Sequence, residues 1–294
     1  MPDSNKRAPM KFEKGVFSMS APGKRSPGGL AKKIQESFFS REIYRGYASV
    51  VTLLILWEAG AKLGMPIIKN IPPLTSVLDA FRQVIFDSSY WGSWGTSFNR
   101  ICIGYIAAQI IGIPLGLLMG TSRFFREMTL PVFEVLRPIP PLAWVPAAAI
   151  FWPTREISII FVTFLGAFFV LILDIVGGAR AIDPRYIRAA TSLGSRRKDI
   201  LWRIVFPATL PSIIVGMTVG IGVAWNTVVA AEMIASRSGL GFMTWRSYVT
   251  LSYPLIVVGM ISIGIADCIS SGIIRFLGAR ITPWLRTDMP ANVL

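Results

Sequence analysis

Long apolar runs separated by blocks of charge constrain this chain more than any other feature of its sequence. A bilayer core about 30 Å thick takes roughly 20 apolar residues in a helix. Six stretches of the 294-residue chain come near that length, namely residues 47–65, 98–120, 128–151, 157–179, 208–235 and 254–277. Only 16% of the residues are charged, whereas soluble domains carry roughly a quarter. The pattern predicts an all-α polytopic membrane protein with about six transmembrane helices.

The third apolar stretch differs from the others because it is crowded with proline. Its prolines are Pro131, Pro138, Pro140, Pro141 and Pro146. Proline removes a backbone donor and clashes with the preceding helical turn, so this stretch is predicted to be broken. Broken backbone at membrane depth is tolerated only where protein or a water-filled path covers it. A re-entrant loop is the alternative to a span here.

The charge distribution predicts how the chain is oriented. The formal net charge is +14, with 30 Lys and Arg against 16 Asp and Glu. With six spans, 22 of these cations fall on the side of the basic N-terminal segment and 7 on the other side. By the positive-inside rule both termini are predicted to be cytoplasmic. Because the charge sits between apolar runs, it indicates topology, and no nucleic-acid partner is expected.

The same pattern divides the chain into three parts. Residues 1–46 are predicted to be a basic cytoplasmic tail, partly disordered, with a possible interfacial helix between Leu30 and Tyr47. Residues 47–285 form the membrane domain, and residues 286–294 are a C-terminal tail. Histidine is absent and the two cysteines lie in apolar runs without zinc-like spacing, so no catalytic residue, metal site or cofactor bound by this chain is expected. An intramembrane enzyme is therefore disfavoured.

The inside loop 181–207 is the most informative segment. Asp183 and Pro184 are typical of a helix start, and Gly194 is typical of a helix end, which predicts a helix of about three turns. Ser195 is predicted to begin a second short helix, with Pro207 and Pro211 marking the start of the fifth apolar stretch. Ile187, Ala190 and Leu193 share helical spacing. This spacing fits a docking element for a cytoplasmic partner, and it also fits an ordinary basic loop.

The loop resembles the "EAA" signature of ABC-importer permeases. Arg188-Ala189-Ala190 is followed by Gly194, nine further residues and then Ile204-Val205-Phe206-Pro207. The spacing matches, although Arg188 stands where the signature has Glu and Phe206 where it has Leu. Further stretches are similar to the permeases for nitrate, sulfonates, taurine and bicarbonate, namely residues 97–100, 112–116, 137–146, 222–226, 230–233 and 238–241.

The resemblance implies a type I, MetI-like importer permease with a cytoplasmic coupling helix, in a bacterial inner membrane. Its partners would be a second permease copy, two cytoplasmic ABC ATPase subunits and an extracytoplasmic substrate-binding protein. This chain has no phosphate-binding Gly-x-x-x-x-Gly-Lys-Ser/Thr loop, so ATP and Mg²⁺ would bind the partner ATPase. The implied ATPase-coupling residues are Asp183, Pro184, Tyr186, Ile187, Arg188, Ala189, Ala190, Leu193, Gly194 and Pro207.

The candidates for the translocation path or its gate are Arg137, Pro141, Trp144, Trp225, Asn226 and Glu232. An ionisable group inside the membrane is costly and suggests function. Glu232 is either a pathway or gate residue or an acid that bonds a neighbouring backbone amide. Arg137 either attracts an anion or pairs with Glu134 or reaches the inner face. The solute is expected to be small and anionic. The functional alternative is a self-sufficient secondary transporter or channel, for which paired discontinuous helices are typical.

Overall fold

The computed structural model describes residues 41–63 and 71–284, with side chains from residue 45 onward. The predicted tail before residue 41 and the C-terminal tail 286–294 lie outside the described residues. The described residues divide between Leu56 and Trp57 into two compact units. Only helical residues of the first unit are described, so the account below concerns the second.

All regular structure in the described residues is helical, as the sequence predicts. The helices are α1 Arg41–Lys62, α2 Leu74–Val84, α3 Ser88–Thr121, α4 Arg123–Leu136, α5 Trp144–Phe151, α6 Arg155–Arg180, α7 Pro184–Ser192, α8 Arg197–Ile200, α9 Phe206–Ala235, α10 Leu240–Val249 and α11 Tyr253–Ile281. A 3₁₀ turn, Pro141–Ala143, precedes α5, and a π turn, Leu201–Val205, joins α8 to α9.

Four helices of the described residues are long and apolar enough to cross a membrane. They are Ser88–Thr121, Arg155–Arg180, the continuous helix Arg197–Ala235 and Tyr253–Ile281, and they match the second, fourth, fifth and sixth predicted spans. The first predicted span falls on α1, which has 22 residues but is not among these four helices. Its charged groups include Glu58 and Lys62, which form an ion pair at 2.7 Å. The count of six spans remains a prediction.

The third predicted span is broken, as its prolines predict. The helix α4 ends at Leu136, and helical structure resumes only with the 3₁₀ turn that begins at Pro141. The following helix, α5, has eight residues. Pro138 and Pro140 lie in the interruption, where a missing backbone donor costs no helical hydrogen bond.

Close glycine contacts reveal the directions of the long helices. A Cβ on Gly104 would lie 2.8 Å from the carbonyl oxygen of Ile160, and one on Gly116 would lie 2.9 Å from Cβ of Ile175. Because both numbers rise together along α3 and α6, these two helices run parallel. The intervening segment 122–154 therefore returns from one end of the bundle to the other.

The helix α9 runs antiparallel to α6 and packs closely against it. Gly166 faces Thr227, and Gly178 faces Ser212, so small residues allow the two backbones to approach. The start of α6 and the end of α9 consequently lie at one end of the bundle, and α7 lies at the opposite end. The core between α3, α6 and α9 is apolar and contains the fully buried residues Ala108, Val162, Ala167, Ala224 and Val228.

Side chains fix where α3 and α6 begin. Asp87 accepts a hydrogen bond from the backbone N–H of Ser89 at 2.9 Å and a second from the hydroxyl of Ser89. Together these bonds hold the pKa of Asp87 below its ordinary value. Thr154 caps α6 by accepting from the N–H of Ile157 at 3.3 Å. These caps set the position of the first turn of α6, which carries Glu156.

The start of the fifth span lies earlier than the prolines predict. The predicted second short helix is present as α8, four residues long, but helical structure then continues through Pro207 and Pro211 to Ala235. The π turn makes this possible: Phe206 donates its N–H to the carbonyl of Leu201, five residues back. Pro207 lacks an N–H, so a widened turn before it loses little hydrogen bonding.

Candidate functional site

The helix predicted between Asp183 and Gly194 is present as α7, and its start has the expected cap. A carboxylate oxygen of Asp183 accepts a hydrogen bond from the N–H of Arg185 at 2.8 Å. Pro184 occupies the first helical position, where its missing N–H costs nothing and its fixed φ suits a helix. The local sequence therefore fixes this end of α7.

The other end of α7 is closed by backbone hydrogen bonds. Gly194 has φ of +77°, and its N–H donates to the carbonyl of Thr191 at 3.0 Å. The N–H of Ser195 donates to the carbonyl of Ala190, also at 3.0 Å. This pair of bonds is a Schellman motif, which needs a left-handed residue and therefore favours glycine. The predicted helix end at Gly194 has this physical basis.

The surface of α7 presents apolar side chains to the surroundings. The side chains of Leu193 and Tyr186 are 86% and 66% exposed, and Ile187 is exposed as well. Ala190 is buried, so it faces the protein and not a partner. Of the three apolar residues at helical spacing, only Ile187 and Leu193 are available for docking.

A groove lies behind α7, between it and the adjoining ends of α6 and α9. Its volume is about 580 Å³. It is lined by Gly178, Ala181, Ile182, Asp183, Tyr186, Ile204, Ala208 and Ser212. Tyr186 thus borders both the groove and the exposed surface of α7. Pro207 is adjacent in sequence to Ala208, which lines the groove.

The charge around α7 is mostly positive. Its two acids are already paired: Asp183 lies 3.8 Å from Arg185, and Asp199 lies 4.0 Å from Arg203. The other cations of residues 180–203 form no ion pair with a described carboxylate, and these are Arg180, Arg188, Arg196, Arg197 and Lys198. Arg188 and Ala189 are both exposed. The surface around α7 is therefore electropositive.

A buried ion cluster lies at the opposite end of the bundle, centred on Arg100 of α3. Its Nε and Nη2 donate to the two carboxylate oxygens of Glu156 at 2.7 and 2.5 Å. Its Nη1 donates to Glu232 at 2.8 Å and to the carbonyl of Ser238 at 2.8 Å. Nη2 also donates to the hydroxyl of Ser238 at 3.2 Å. All five N–H groups of the guanidinium thus have partners, as burial of a cation requires.

Glu232 has further partners that join the turn after α9 to α3. Its carboxylate lies 2.8 and 2.9 Å from the hydroxyl of Ser97 and accepts from the N–H of Gly241 at 2.9 Å. The N–H of Leu240 donates to the oxygen of Ser97 at 2.9 Å. Gly239 has φ of +110°, and a Cβ there would overlap the Glu232 carboxylate. The turn is therefore fitted closely over this acid.

The two carboxylates of the cluster differ in exposure. The side chains of Arg100 and Glu232 are 1% and 0% exposed, whereas that of Glu156 is 57% exposed. Glu232 alone balances the charge of Arg100. Glu156 therefore adds an excess negative charge at the edge of the cluster, where water still solvates it.

The remaining pathway candidates of the fifth span do not join the ion cluster directly. Trp225 is buried, and its indole N–H donates to the hydroxyl of Ser270 at 3.1 Å. Its ring also meets Phe98 edge-on, with 5.2 Å between centroids. Asn226 is exposed, and its side chain forms no hydrogen bond with the described residues of the cluster. Trp225 thus contacts residues of both α3 and α11 from its place on α9.

The candidates in the broken segment are also separate from the cluster. Arg137 is exposed at the end of α4 and forms no ion pair with Glu134 or any other described carboxylate. Pro141 begins the 3₁₀ turn. Trp144 packs against the apolar core, and its indole nitrogen is buried without an acceptor among the described residues. The six candidates therefore do not form one site.

Sequence reasoning missed the residues that complete the ion cluster. Ser97, Arg100 and Glu156 are not among the site residues that the sequence predicts. A signal did exist: Arg100 lies near the start of the apolar stretch 98–120, and an arginine that is buried within a membrane helix needs an acidic partner. Glu232 was recognised, and of its two alternatives the structure shows the bond to a backbone amide together with the unexpected pair with Arg100.

The described residues contain no cluster of three or more metal-ligating side chains. Carboxylates of the ion cluster are instead saturated by arginine, hydroxyl and amide donors. Its chemistry is therefore that of ion pairing and hydrogen bonding.

Comparison with known proteins gives a consistent result. A family model described as "Binding-protein-dependent transport system inner membrane component" matches residues 112–287. The taurine transport system permease protein TauC of Escherichia coli (strain K12) is 34% identical over 250 residues, which cover 83% of this chain and 91% of TauC. The nitrate import permease protein NrtB of Synechocystis sp. is 32% identical over 263 residues, covering 86% and 94%.

A similar fold is found among solved structures. A chain of the MetNI methionine ABC transporter, in an inward-facing conformation, matches with a TM-score of 0.52. The match covers 64% of the present chain and 94% of that chain, at 17% sequence identity. At this identity the likeness supports the fold and nothing more specific.

Proposed function

This chain belongs to the family of binding-protein-dependent transport system inner membrane components, and on that premise we propose that it imports a small oxyanion by docking a cytoplasmic ATPase on α7. It is a permease subunit of an ABC transporter, with a MetI-type fold. These relatives do not favour the alternative of a self-sufficient secondary transporter or channel.

The observation that carries the coupling proposal is that α7 is fixed at both ends and yet exposes Leu193 and Tyr186. Exposed apolar groups on a rigid element are typical of docking surfaces. When two ATPase subunits close on ATP, each would carry one α7 with it. Because α7 lies between α6 and α9 in the chain, this movement would pass to those helices as a rigid-body change.

The proposed assembly has two copies of this chain, two ABC ATPase subunits and an extracytoplasmic binding protein. ATP and Mg²⁺ would bind the ATPase, because the present sequence has no phosphate-binding loop. The exposed cations beside α7, including Arg188, favour an acidic surface on that subunit. A homodimer is the simplest arrangement, since the chain matches 91% and 94% of the length of single permease proteins.

The proposed substrate class is a small oxyanion. One relative is named for taurine, which carries a sulfonate, and another for nitrate. Bicarbonate has trigonally arranged oxygens, as nitrate does, and other sulfonates have the tetrahedral arrangement of the taurine sulfonate. We place the protein in the bacterial inner membrane with both termini in the cytoplasm, because the cations accumulate on the side of α7.

The docking proposal is tested with Leu193→Asp. Leu193 is almost fully exposed, so the substitution is expected to leave membrane insertion and thermal stability unchanged while abolishing co-purification of the ATPase. Leu251→Asp is the matched control: this leucine is also exposed but lies in the turn before α11, at the opposite end of the bundle. Retention of the ATPase by the Leu193 variant would contradict the proposal.

Transport itself is tested in proteoliposomes that contain the complete complex. Uptake of taurine or nitrate is expected only with binding protein outside and ATP inside. Uptake that persists without ATP and follows an ion gradient would contradict the importer function and favour a secondary carrier.

A further inference from the structure

We propose that Arg100 and Glu156 form an oxyanion site that Glu156 keeps closed in this structure. A small oxyanion would exchange with the Glu156 carboxylate on the same edge of the guanidinium. This inference rests on the proposed import of an oxyanion and names a site for it. The ion pair between Arg100 and Glu156 breaks, and an ion pair between Arg100 and the ligand forms.

The geometry of the pair is that of oxyanion recognition. Nε and Nη2 of Arg100 present a two-pronged edge that holds both oxygens of Glu156 at 2.7 and 2.5 Å. This fork matches carboxylate and other oxyanions with two suitably spaced oxygens. Nη1 is engaged separately by Glu232 and Ser238. The forked edge could thus change its partner while the rest of the guanidinium stays bonded.

The charge balance makes this exchange feasible. Arg100 contributes one positive charge, and the buried Glu232 already neutralises it. Glu156 is a second negative charge, and replacing it by a ligand of charge −1 leaves the net charge of the cluster unchanged. The exchange therefore buries no additional charge. Burial of an unbalanced charge is what normally makes a binding site in the membrane costly.

The position of Glu156 allows it to leave. Its side chain is 57% exposed, and it lies in the first turn of α6. A released carboxylate would still be stabilised there by the positive end of the helix dipole and by water. Glu232, in contrast, is fully buried and bonded to Ser97, Arg100 and Gly241, so it remains as the fixed counter-ion.

Two further cations flank the cluster in sequence. Arg155 precedes Glu156, and Arg237 precedes Ser238; both are exposed, and neither lies within 4.0 Å of a described carboxylate oxygen. Exposed cations near a site raise the local concentration of anions. They would offset the excess negative charge that Glu156 brings to the edge of the cluster.

The test uses the purified permease dimer with its ATPase in detergent, and nitrate as the probe. Thermal stability is measured against nitrate concentration, with chloride maintaining constant ionic strength. A tethered competitor acts at an effective concentration in the millimolar range or above. Glu156→Gln is therefore expected to lower the nitrate concentration for half-maximal stabilisation by about tenfold or more.

The matched control is Glu127→Gln. Glu127 also pairs with an arginine, Arg123, at 2.7 Å, and both side chains are exposed on α4. This variant is expected to respond to nitrate like the wild-type protein. If Glu156→Gln does not fold, Glu156→Asp provides the same test, because its shorter side chain loosens the tether and is expected to shift the nitrate response in the same direction.

An unchanged nitrate response in the folded Glu156 variants would overturn the proposal. Uptake assays on the wild-type complex separate this failure from failure of the proposed function. If the wild type imports nitrate or taurine with ATP but the variants leave the KM unaltered, only the oxyanion site is wrong. If the wild type imports none of nitrate, taurine, other sulfonates and bicarbonate, the substrate class itself is wrong.

Discussion

Replacing Glu232 by Gln is expected to destabilise the protein far more than replacing Glu156 by Gln. Both residues bond Arg100, but Glu232 is fully buried and Glu156 is mostly exposed. Breaking a buried ion pair by removing one partner costs about 3 kcal/mol. The Glu156 carboxylate is mostly solvated, and Gln at this position keeps one oxygen that can accept from Arg100, so Glu156→Gln is expected to cost about 1 kcal/mol. The amide of Gln cannot replace the carboxylate, because every partner of Glu232 is a donor, namely Ser97, Arg100 and Gly241. The NH₂ group of Gln would face one of these donors and could not accept its hydrogen bond.

The difference is large enough to measure by thermal unfolding in detergent. For a domain of this size, 1 kcal/mol shifts the Tm by roughly 2–4 °C. Glu232→Gln is thus expected to lower the Tm by about 6–12 °C, and Glu156→Gln by about 4 °C at most. Scans must share one heating rate, since unfolding in detergent is commonly irreversible. Equal shifts for the two variants would refute the reasoning from burial, and Glu127→Gln provides the surface baseline.

Other substitutions test the backbone and packing. Gly194→Asp is expected to lose ATPase co-purification, because it adds a charged side chain at the end of α7. The Tm is expected to change little, since Asp tolerates a φ of +77° better than most residues and nothing lies within 4 Å of the added Cβ. Gly239→Ala combines a φ of +110° with overlap of the Glu232 carboxylate; it is expected to cost about 1–3 kcal/mol, seen as a lower Tm. Gly116→Val would press on Ile175, 2.9 Å from the Cβ position, and is expected to cost about 1–3 kcal/mol, measured by denaturation in mild detergent.

Features that depend on neighbouring residues were predictable from the sequence. The cap at Asp183, the proline at position 184 and the glycine at position 194 act within a few residues of one another, so the bounds of α7 followed from local rules. The break in the third apolar stretch followed from its prolines for the same reason. Family resemblance extended these local predictions to a permease fold.

Features that depend on distant residues were not predictable in this way. The bonds of Arg100 reach Glu156 and Glu232, which are 56 and 132 positions away, and no local pattern joins them. The early start of the fifth span was also missed. The π turn before Pro207 changes which backbone groups are hydrogen-bonded, and no residue type in the sequence signals it. The pairing of α3 with α6 in the same direction had to be read from contacts between their backbones.

The Arg100 cluster limits how the bundle can move. It ties α3, the first turn of α6 and the end of α9 together at one end, whereas the ends beside α7 share no such ion pair among the described residues. The helix α9 has 30 residues and is therefore about 45 Å long. With one end pinned, a tilt of only a few degrees displaces the other end by several ångströms. Small relative rotations of these helices would then be centred near Arg100, and the displacements that they cause would be largest beside α7.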